Sequence, residues 1–529
     1  MGRKAFLGAV LVAMLAVACG GGGSKGASGS SSAGKADPNA EVRIGAGEDT
    51  WPDQGKADKS TTFAYPLNVG TFDTLVVLGS DYSLQPGLAT SWELVPPTTW
   101  RFHLRQGVVF SNGKPFTADD VMWTWAEKQK TGKTGDGSNT LGDDSVKKVD
   151  DFTVDFTPTS VNNRFPEQVL HPEGAIVPRG NNFDTLPEVG TGPFKVVDYK
   201  PKESVTLVRN DLYWGPQKAQ VRQLTIRFLP DNQTRLQALK SGQEDMILDL
   251  PPDAVSGVKA GPNLRVVSSK PGRNELIYIN KSGTPPHDLG ADLSIRKAVS
   301  LAIDRKAYVN TVFDGNADQG RWMGPESVLG PYANIVTPVP FDPAQAKSVL
   351  DADGWKVGSD GIRVKDGRRL SLTYLGTPEI QPAAPQFLQA ELKDVGIDMV
   401  IKATPDTATR NQLYRAGDYD LDFEPPNQND GNPAFLPVLR MYSKNPNTAQ
   451  FAPGGMFDDL AAQSLAAADH AQVQQLSAQM MKILVDDQYI VVPVAGLYRI
   501  YGMTKAVNLG DPHPSQTNQS WVSLTKSTS

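Results

Sequence analysis

Between Pro86 and Val121 the chain reads Pro86-Gly-Leu-Ala-Thr-Ser-Trp92 and then Trp100-Arg-Phe-His-Leu-Arg105-Gln-Gly107-Val-Val-Phe110-Ser-Asn-Gly113-Lys-Pro-Phe-Thr-Ala-Asp-Asp120-Val121. Trp92, Phe102, Leu104 and Phe110 recur with the alternation of a packed hairpin, in which every second side chain faces the same side. Thr117-Ala-Asp-Asp120 then has the form of a capping box, and Val121, Met122 and Trp125 fall on one face of the helix it would start. A hairpin feeding a helix predicts an α/β architecture.

The same grammar continues outward. Asp342-Pro343 supplies an N-cap and a first-turn proline, Val349 and Leu350 are the buried positions, and Gly354 stops the helix. Leu388, Leu392 and Val395 form another apolar stripe closed by Gly396, after which Ile397, Met399 and Ile401 alternate as a strand. Ser294 to Phe313 carries Ile295, Ala298, Ala302 and Ile303 at helical spacing, and Phe457 to Gln488 reads as a helical pair. Strand-like stretches meet Pro or Gly at Ser268 to Arg273 and at Val491 to Gly496, the two candidate boundaries between domains. No internal repeat is evident.

The N-terminus reads separately. Arg3 and Lys4 precede an apolar run from Ala5 to Ala18, and the only cysteine, Cys19, follows it. That layout predicts a secretory signal peptide over residues 1–18, because the run falls short of the about 20 residues that cross a hydrocarbon core. Ala16-Val17-Ala18-Cys19 is similar to a lipobox, with Leu15 one place further back than usual, so Cys19 is the expected lipidation site. Gly20 to Ala36 is almost entirely Gly, Ser, Ala and Lys, a tether composition that buries too little apolar surface to fold. Residues 19–36 are therefore expected to hold the body to a membrane surface through a lipid anchor.

Of the 529 residues, 39% are hydrophobic and 21% charged, and no second long apolar stretch follows Asp37. The body exceeds the roughly 250–300 residues that one core supports, so at least two domains are expected. A net charge of -6 argues against nucleic-acid partners.

Several blocks, taken in order, resemble the family 5 extracytoplasmic solute-binding proteins of peptide ABC importers. The stretch from Pro86 to Val121 is similar to the family's most characteristic signature. Gly190-Thr-Gly-Pro-Phe194, Val205-Thr-Leu-Val-Arg-Asn210, Arg235-Leu-Gln-Ala-Leu-Lys-Ser-Gly242-Gln-Glu-Asp245, Ile295-Arg-Lys-Ala-Val-Ser-Leu-Ala-Ile-Asp304-Arg305, Asp342 to Trp355 and Leu392-Lys-Asp-Val-Gly396-Ile397 follow in the family's order. The resemblance implies a two-lobed periplasmic-binding-protein-like α/β fold, type II and of the large peptide-binding subclass, with a ligand cleft between the lobes. Residues 37–270 with 495–529 would form lobe I, carrying a subdomain over about 80–190, and residues 271–494 lobe II. It further implies a monomer that captures peptides or another small solute outside the cytoplasm and delivers them to a permease driven by an ATPase subunit. Most of the matching residues read as scaffold: Asp304-Arg305, for example, sits where a helix cap or ion pair belongs.

Peptide-binding members commonly set an Asp, in the segment after a Y-D-x-x motif, against the ligand's amino terminus. Here Tyr419-Asp420-Leu-Asp leads into Asn427-Gln-Asn429-Asp430, and the Asp position falls on Asn429, with Asp430 one residue later. Asp430 would give a charge-assisted hydrogen bond to an ammonium, whereas Asn429 would leave only neutral ones. As a polar loop, the same residues would serve turns. Gln319-Gly-Arg321-Trp322-Met323 is the second candidate, Trp322 as a flat apolar wall and Arg321 as a carboxylate fork, with loop packing as the ordinary alternative for the Trp.

Catalytic and cofactor readings find little support. Gly132-Lys133-Thr134 ends like a phosphate-binding loop, but Glu127 stands where the upstream glycine belongs. Neither H-E-x-x-H nor G-x-S-x-G occurs. His103, His171, His287, His470 and His513 show no metal-ligand spacing. No catalytic residue, cofactor or metal site is expected. The alternatives are a nickel complex, sugar or opine on the same scaffold, a ligand-sensing surface receptor, or a hydrolase.

Overall fold

The computed structural model describes residues 35–47, 70–130, 141–159, 162, 165–170, 174–181, 189–324, 326–376, 383–428, 437–438, 441–444, 451, 453–467, 469–514 and 521–528. Cys19, Asn429, Asp430, His171 and the Gly132-Lys133-Thr134 segment lie outside them.

The chain opens with β1 (Glu41–Ala46) and then builds a separate antiparallel sheet from β2 (Ala89–Val95), β3 (Thr99–Leu104), β4 (Leu141–Asp150) and β5 (Thr153–Pro158), in the order β2-β3-β5-β4. Helix α1 (Ala118–Lys130) covers this sheet. Its start is the expected capping box: the Thr117 amide donates to the Asp120 carboxylate at 2.8 Å, and Val121 and Trp125 are buried. Phe102 and Phe156, on adjacent strands, meet edge to face at 5.4 Å in the subdomain's core.

Lobe I continues with β6 (Phe194–Lys200), β7 (Ser204–Arg209), β8 (Gln223–Phe228), α2 (Asn232–Lys240), β9 (Met246–Ile247) and β10 (Leu264–Ser268). β1 lies parallel to both β8 and β9. Val42 and Ile44 pack with Leu224 and Ile226 on one face, while Ile247 turns to the other face against Leu236 and Leu239 of α2. This is the period-2 alternation of a sheet covered on both sides.

Lobe II comprises β11 (Arg273–Ile279), α3 (Leu293–Ala302), α4 (Arg305–Phe313), β12 (Ala317–Gln319), α5 (Pro343–Ala352), β13 (Ser371–Leu375), α6 (Ala383–Asp394), β14 (Asp398–Lys402), α7 (Thr407–Ala416), β15 (Leu421–Gln428), α8 (Met456–Ala466), α9 (His470–Lys482) and β16 (Val491–Leu497). Its sheet runs β12-β16-β11-β15-β13-β14. Ile277 and Ile279 of β11 join one core with α3 to α6. Leu276 and Tyr278 join the opposite core with α8 and α9. β17 (Ile500–Thr504) then returns to lobe I and pairs with both β9 and β10.

The chain thus passes between sheets twice, at residues 269–272 and 498–499. The second passage falls later than the boundary set at 494 and 495 from sequence. Ala495, Gly496 and Leu497 still pair with Glu275, Asn274 and Arg273, so Gly496 lies inside a strand rather than at its end.

Two further readings are refined. The segment from Ser294 to Phe313 is two helices, because Ile303 is extended and the Asp304 side chain accepts from the Ala307 amide at 2.9 Å as the N-cap of α4. Ile401 is exposed despite its alternation with Ile397 and Met399, near the far end of β14, the edge strand of the sheet.

Candidate functional site

The two passages between lobes are bonded to each other. The Ser269 amide donates to the Arg499 carbonyl at 2.9 Å, and the Arg499 amide donates to Ser269 Oγ at 3.0 Å. Gly272 completes the first passage against the C-terminal segment: a Cβ there would run into the Pro514 carbonyl, so no larger residue fits without displacing that segment. Two short, mutually bonded segments are the geometry of a hinge, which confines relative motion of the lobes to a few backbone torsions.

Beside this hinge a recess of about 280 Å³ opens between the lobes. Lobe I contributes Asn232, Arg235 and Asp249 to Pro252; lobe II contributes Phe313, Asn316 and Leu497; Tyr498 comes from the second passage. The local reasons are legible. Asp231 caps α2 by accepting from the Thr234 amide at 2.7 Å, which brings the first turn of the helix to the rim. Asp249 adopts a left-handed backbone (φ 50°) that turns the chain sharply out of β9. Asn316 follows the end of α4, and its amide donates to the Pro252 carbonyl across the lobes at 3.4 Å.

The charges around the recess are of both signs. The buried Arg235 guanidinium is held by the Leu229 carbonyl at 2.6 Å and Asn232 Oδ1 at 2.6 Å. Burial lowers the Arg273 guanidinium from its usual range, opposed by the charge of Asp249 on the other lobe. Tyr498 donates to the Asp318 carboxylate, and burial together with that bond pushes its phenol up to about 12. Glu275 is 2% exposed, two residues into lobe II, and accepts from Tyr308 Oη at 2.7 Å. Such a set binds and orients by polar contact and apolar walls. Among the described residues no group of three His, Cys, Asp or Glu side chains could hold a metal ion.

The sequence candidates fall in different places. Asn427 lies in β15 opposite Asn274, one residue before Gln428, which pairs with Arg273 at the hinge. Asn429 and Asp430 lie outside the described residues. Arg321 and Trp322 are brought together but do not border the recess. Trp322 is 3% exposed in the core formed with α8 and α9. Arg321 lies over its ring at 4.7 Å, pairs with Glu326 at 3.5 Å and donates to the Val336 carbonyl at 3.3 Å.

Asp420, in the Tyr419-Asp420 motif, is a scaffold residue: it accepts from the Thr373 amide at 2.7 Å and meets His287 Nδ1 at 3.0 Å. Asp418 holds the other ring nitrogen at 2.9 Å, so His287 is fully engaged. Asp249, Asn316 and Tyr498 carried no local signal for a recess. They come from segments far apart in sequence and meet only because the chain crosses twice.

The comparisons agree with this architecture. The family model described as bacterial extracellular solute-binding proteins, family 5 middle, matches residues 83–448. The nickel-binding periplasmic protein of Escherichia coli (strain K12) is 26% identical over 482 residues, covering 83% of this chain and 89% of that protein. The oligopeptide-binding protein AppA of Bacillus subtilis (strain 168) is 26% identical over 415 residues, 74% of each chain. Among solved structures, NikA from Brucella suis in complex with Fe(III)-EDTA superposes with a TM-score of 0.78 at 24% identity, covering 92% of this chain and 100% of that one. The last likeness establishes the two-lobed fold.

Proposed function

The chain belongs to the bacterial extracellular solute-binding proteins of family 5, and from that premise we propose that it captures peptides between its lobes and passes them to the permease of an ABC importer. The function is binding rather than chemistry. A solute that touches both lobes only when they are shut favours the shut state by that difference in affinity, and a pair of bonded passages is suited to such a motion.

The observation that carries the peptide reading is the exit of β15 at Gln428 opposite Arg273. Asn427 pairs beside it, and the reading gives Asp430, with Asn429, the role of holding a peptide's amino terminus. Arg321 and Trp322, which pack on each other away from the recess, stand as secondary candidates only. Cys19 would carry the lipid anchor, with the body working as an extracytoplasmic monomer.

Native mass spectrometry of the purified body identifies whatever it carries, and calorimetry with that solute then compares wild type and Asp430→Asn. A carboxylate paired with a desolvated ammonium predicts a loss of at least about 30-fold, from roughly 2 to 5 kcal/mol. A loss below about threefold with the fold intact would show that Asp430 is a turn residue. A second reading, a chelated nickel complex, is favoured by the nickel-binding relative, whose match covers more of this chain than that of the peptide-binding one. Recovery of a metal complex in the same spectra would decide for it.

A further inference from the structure

His287 lies away from the hinge, in the loop that leaves β11, and its ring joins two carboxylates of the short connection between α7 and β15. Nδ1 stands 3.0 Å from Asp420 Oδ2, and Nε2 stands 2.9 Å from Asp418 Oδ1. Each of these bonds needs a hydrogen. A neutral imidazole carries one N–H and an ionised carboxylate none, so a neutral ring between two carboxylates has a single hydrogen for two bonds. Closing both takes one proton more. The carboxylates have other donors as well: Asp420 Oδ2 accepts from the Thr373 amide of β13 at 2.7 Å, and Asp418 Oδ2 accepts from Lys402 Nζ of β14 at 2.6 Å.

We propose that His287 is a proton-dependent latch: it ties its loop to both Asp418 and Asp420 while the three groups share the additional proton, and releases Asp418 when that proton leaves. Burial decides which arm opens. The Asp420 side chain is 3% exposed, and losing the ring would leave its charge buried with one amide donor. The Asp418 side chain is 43% exposed, keeps Lys402 and can be rehydrated. The neutral ring therefore keeps its Nδ1–H on Asp420 and turns a bare Nε2 toward Asp418, where lone pair meets lone pair. The latch closes the end of lobe II remote from the hinge. There the Asn280 amide, just past β11, donates to the Asp420 carbonyl at 2.9 Å, and the Asn280 side chain donates to the Tyr419 carbonyl at 2.9 Å. The other ends of β11 and β15 are Arg273 and Gln428, so the latch is independent of which solute the protein carries.

The charged groups around the latch are Lys402, Asp288 and Arg368. Arg368 holds the Asp288 carboxylate at 2.9 Å and donates to the Pro286 carbonyl at 3.2 Å, a second fastening of the same loop. Burial raises the Asp420 carboxyl, opposed by the Thr373 amide, by His287 and by the charge of Arg368. The Lys402 bond holds the Asp418 carboxyl below its usual range, with His287 acting in the same direction. The sign follows from linkage. The latched form binds the additional proton, so acid favours the arrangement seen here and rising pH opens the Asp418 arm.

The test needs no solute. Amide hydrogen exchange, corrected for its intrinsic pH dependence, is followed in the full chain from about pH 5 to about pH 10 over the loop around His287 and the connection around Asp418. The expected result is protection that falls at least about tenfold with rising pH in this chain and stays level in Asp418→Asn. The asparagine amide supplies its own hydrogen to a neutral Nε2 while its oxygen still accepts from Lys402, so that variant closes both arms without the additional proton. His287→Gln cannot titrate and should show low protection at every pH. Protection that stays level across the range in the unmodified chain would overturn the latch. A fall of the same size and midpoint in either variant would assign the proton to another group and refute the inference.

Discussion

Glu275 has a consequence within the folded body. Burial pushes its carboxyl up to about 7 in the native chain, from the ordinary 4.5 that an unfolded chain would show. The native state therefore binds more protons over that window, and stability falls as pH rises from about 4.5 to about 7, then levels off. The size is on the order of 3 kcal/mol. Glu275→Gln keeps an acceptor for Tyr308 Oη and removes the ionised form, so thermal melts should show the variant close to wild type at pH 5 and several degrees more stable at pH 8. Equal melting temperatures at pH 8 would mean that water or an undescribed side chain already compensates the charge. At the same scale Arg410 and Asp422, both buried and paired, form the kind of ion pair whose value lies in specifying one arrangement rather than in net stability.

At the scale of elements, α4 is the member that ties the hinge together. Tyr308 bonds Glu275 on β11, and Arg305, three residues earlier, donates to the Pro493 carbonyl of β16 at 2.7 Å and weakly to the Ile303 and Val339 carbonyls at 3.3 Å. The two lobe II strands that border the passages, β11 after the first and β16 before the second, are thus fastened to one helix. Asp304→Ala removes only the cap and should cost about 1 kcal/mol. Arg305→Met leaves several buried carbonyls without a donor, at about 1–3 kcal/mol for each that water cannot reach. It should also raise amide exchange across Val491 to Leu497 selectively, and exchange confined to α4 would show that the arginine only stabilises its own helix. Asp304-Arg305 was legible from sequence only as a place for a cap or an ion pair, and the structure makes Asp304 the N-cap of α4; capping is local chemistry. The same holds for Thr117 with Asp120 and for Asp342-Pro343, whose carboxylate accepts from the Gln345 amide at 2.8 Å. What Arg305 reaches was not legible, because its acceptors are backbone carbonyls, which carry no residue signature.

For the whole molecule, the order of strands and helices could be read along the chain, but the recess could not, since Asn232, Asp249, Asn316 and Tyr498 are neighbours only after both passages are made. The same connectivity places the start of the described body on lobe I. The described body begins with Ala36 bridged to Ser527 and the Asp37 amide donating to the Lys526 carbonyl at 2.9 Å, both on lobe I. Whatever precedes residue 35 is therefore fastened to lobe I, and a lipid at Cys19 would hold that lobe while lobe II moves. Stable anchoring needs more than one acyl chain, since a single chain gives only reversible binding, and no helix among the described residues is long and apolar enough to cross a membrane. A lipid anchor, as proposed, would be carried by Cys19. On the proposed anchoring, Cys19→Ser should appear in the soluble fraction or remain unprocessed, with a melting curve identical to that of the wild-type body. The measurement is fractionation with mass determination of the N-terminus. A processed Cys19→Ser protein that still sediments with membranes would show that the body binds the surface through its own residues, and the search for the anchor would move to lobe I.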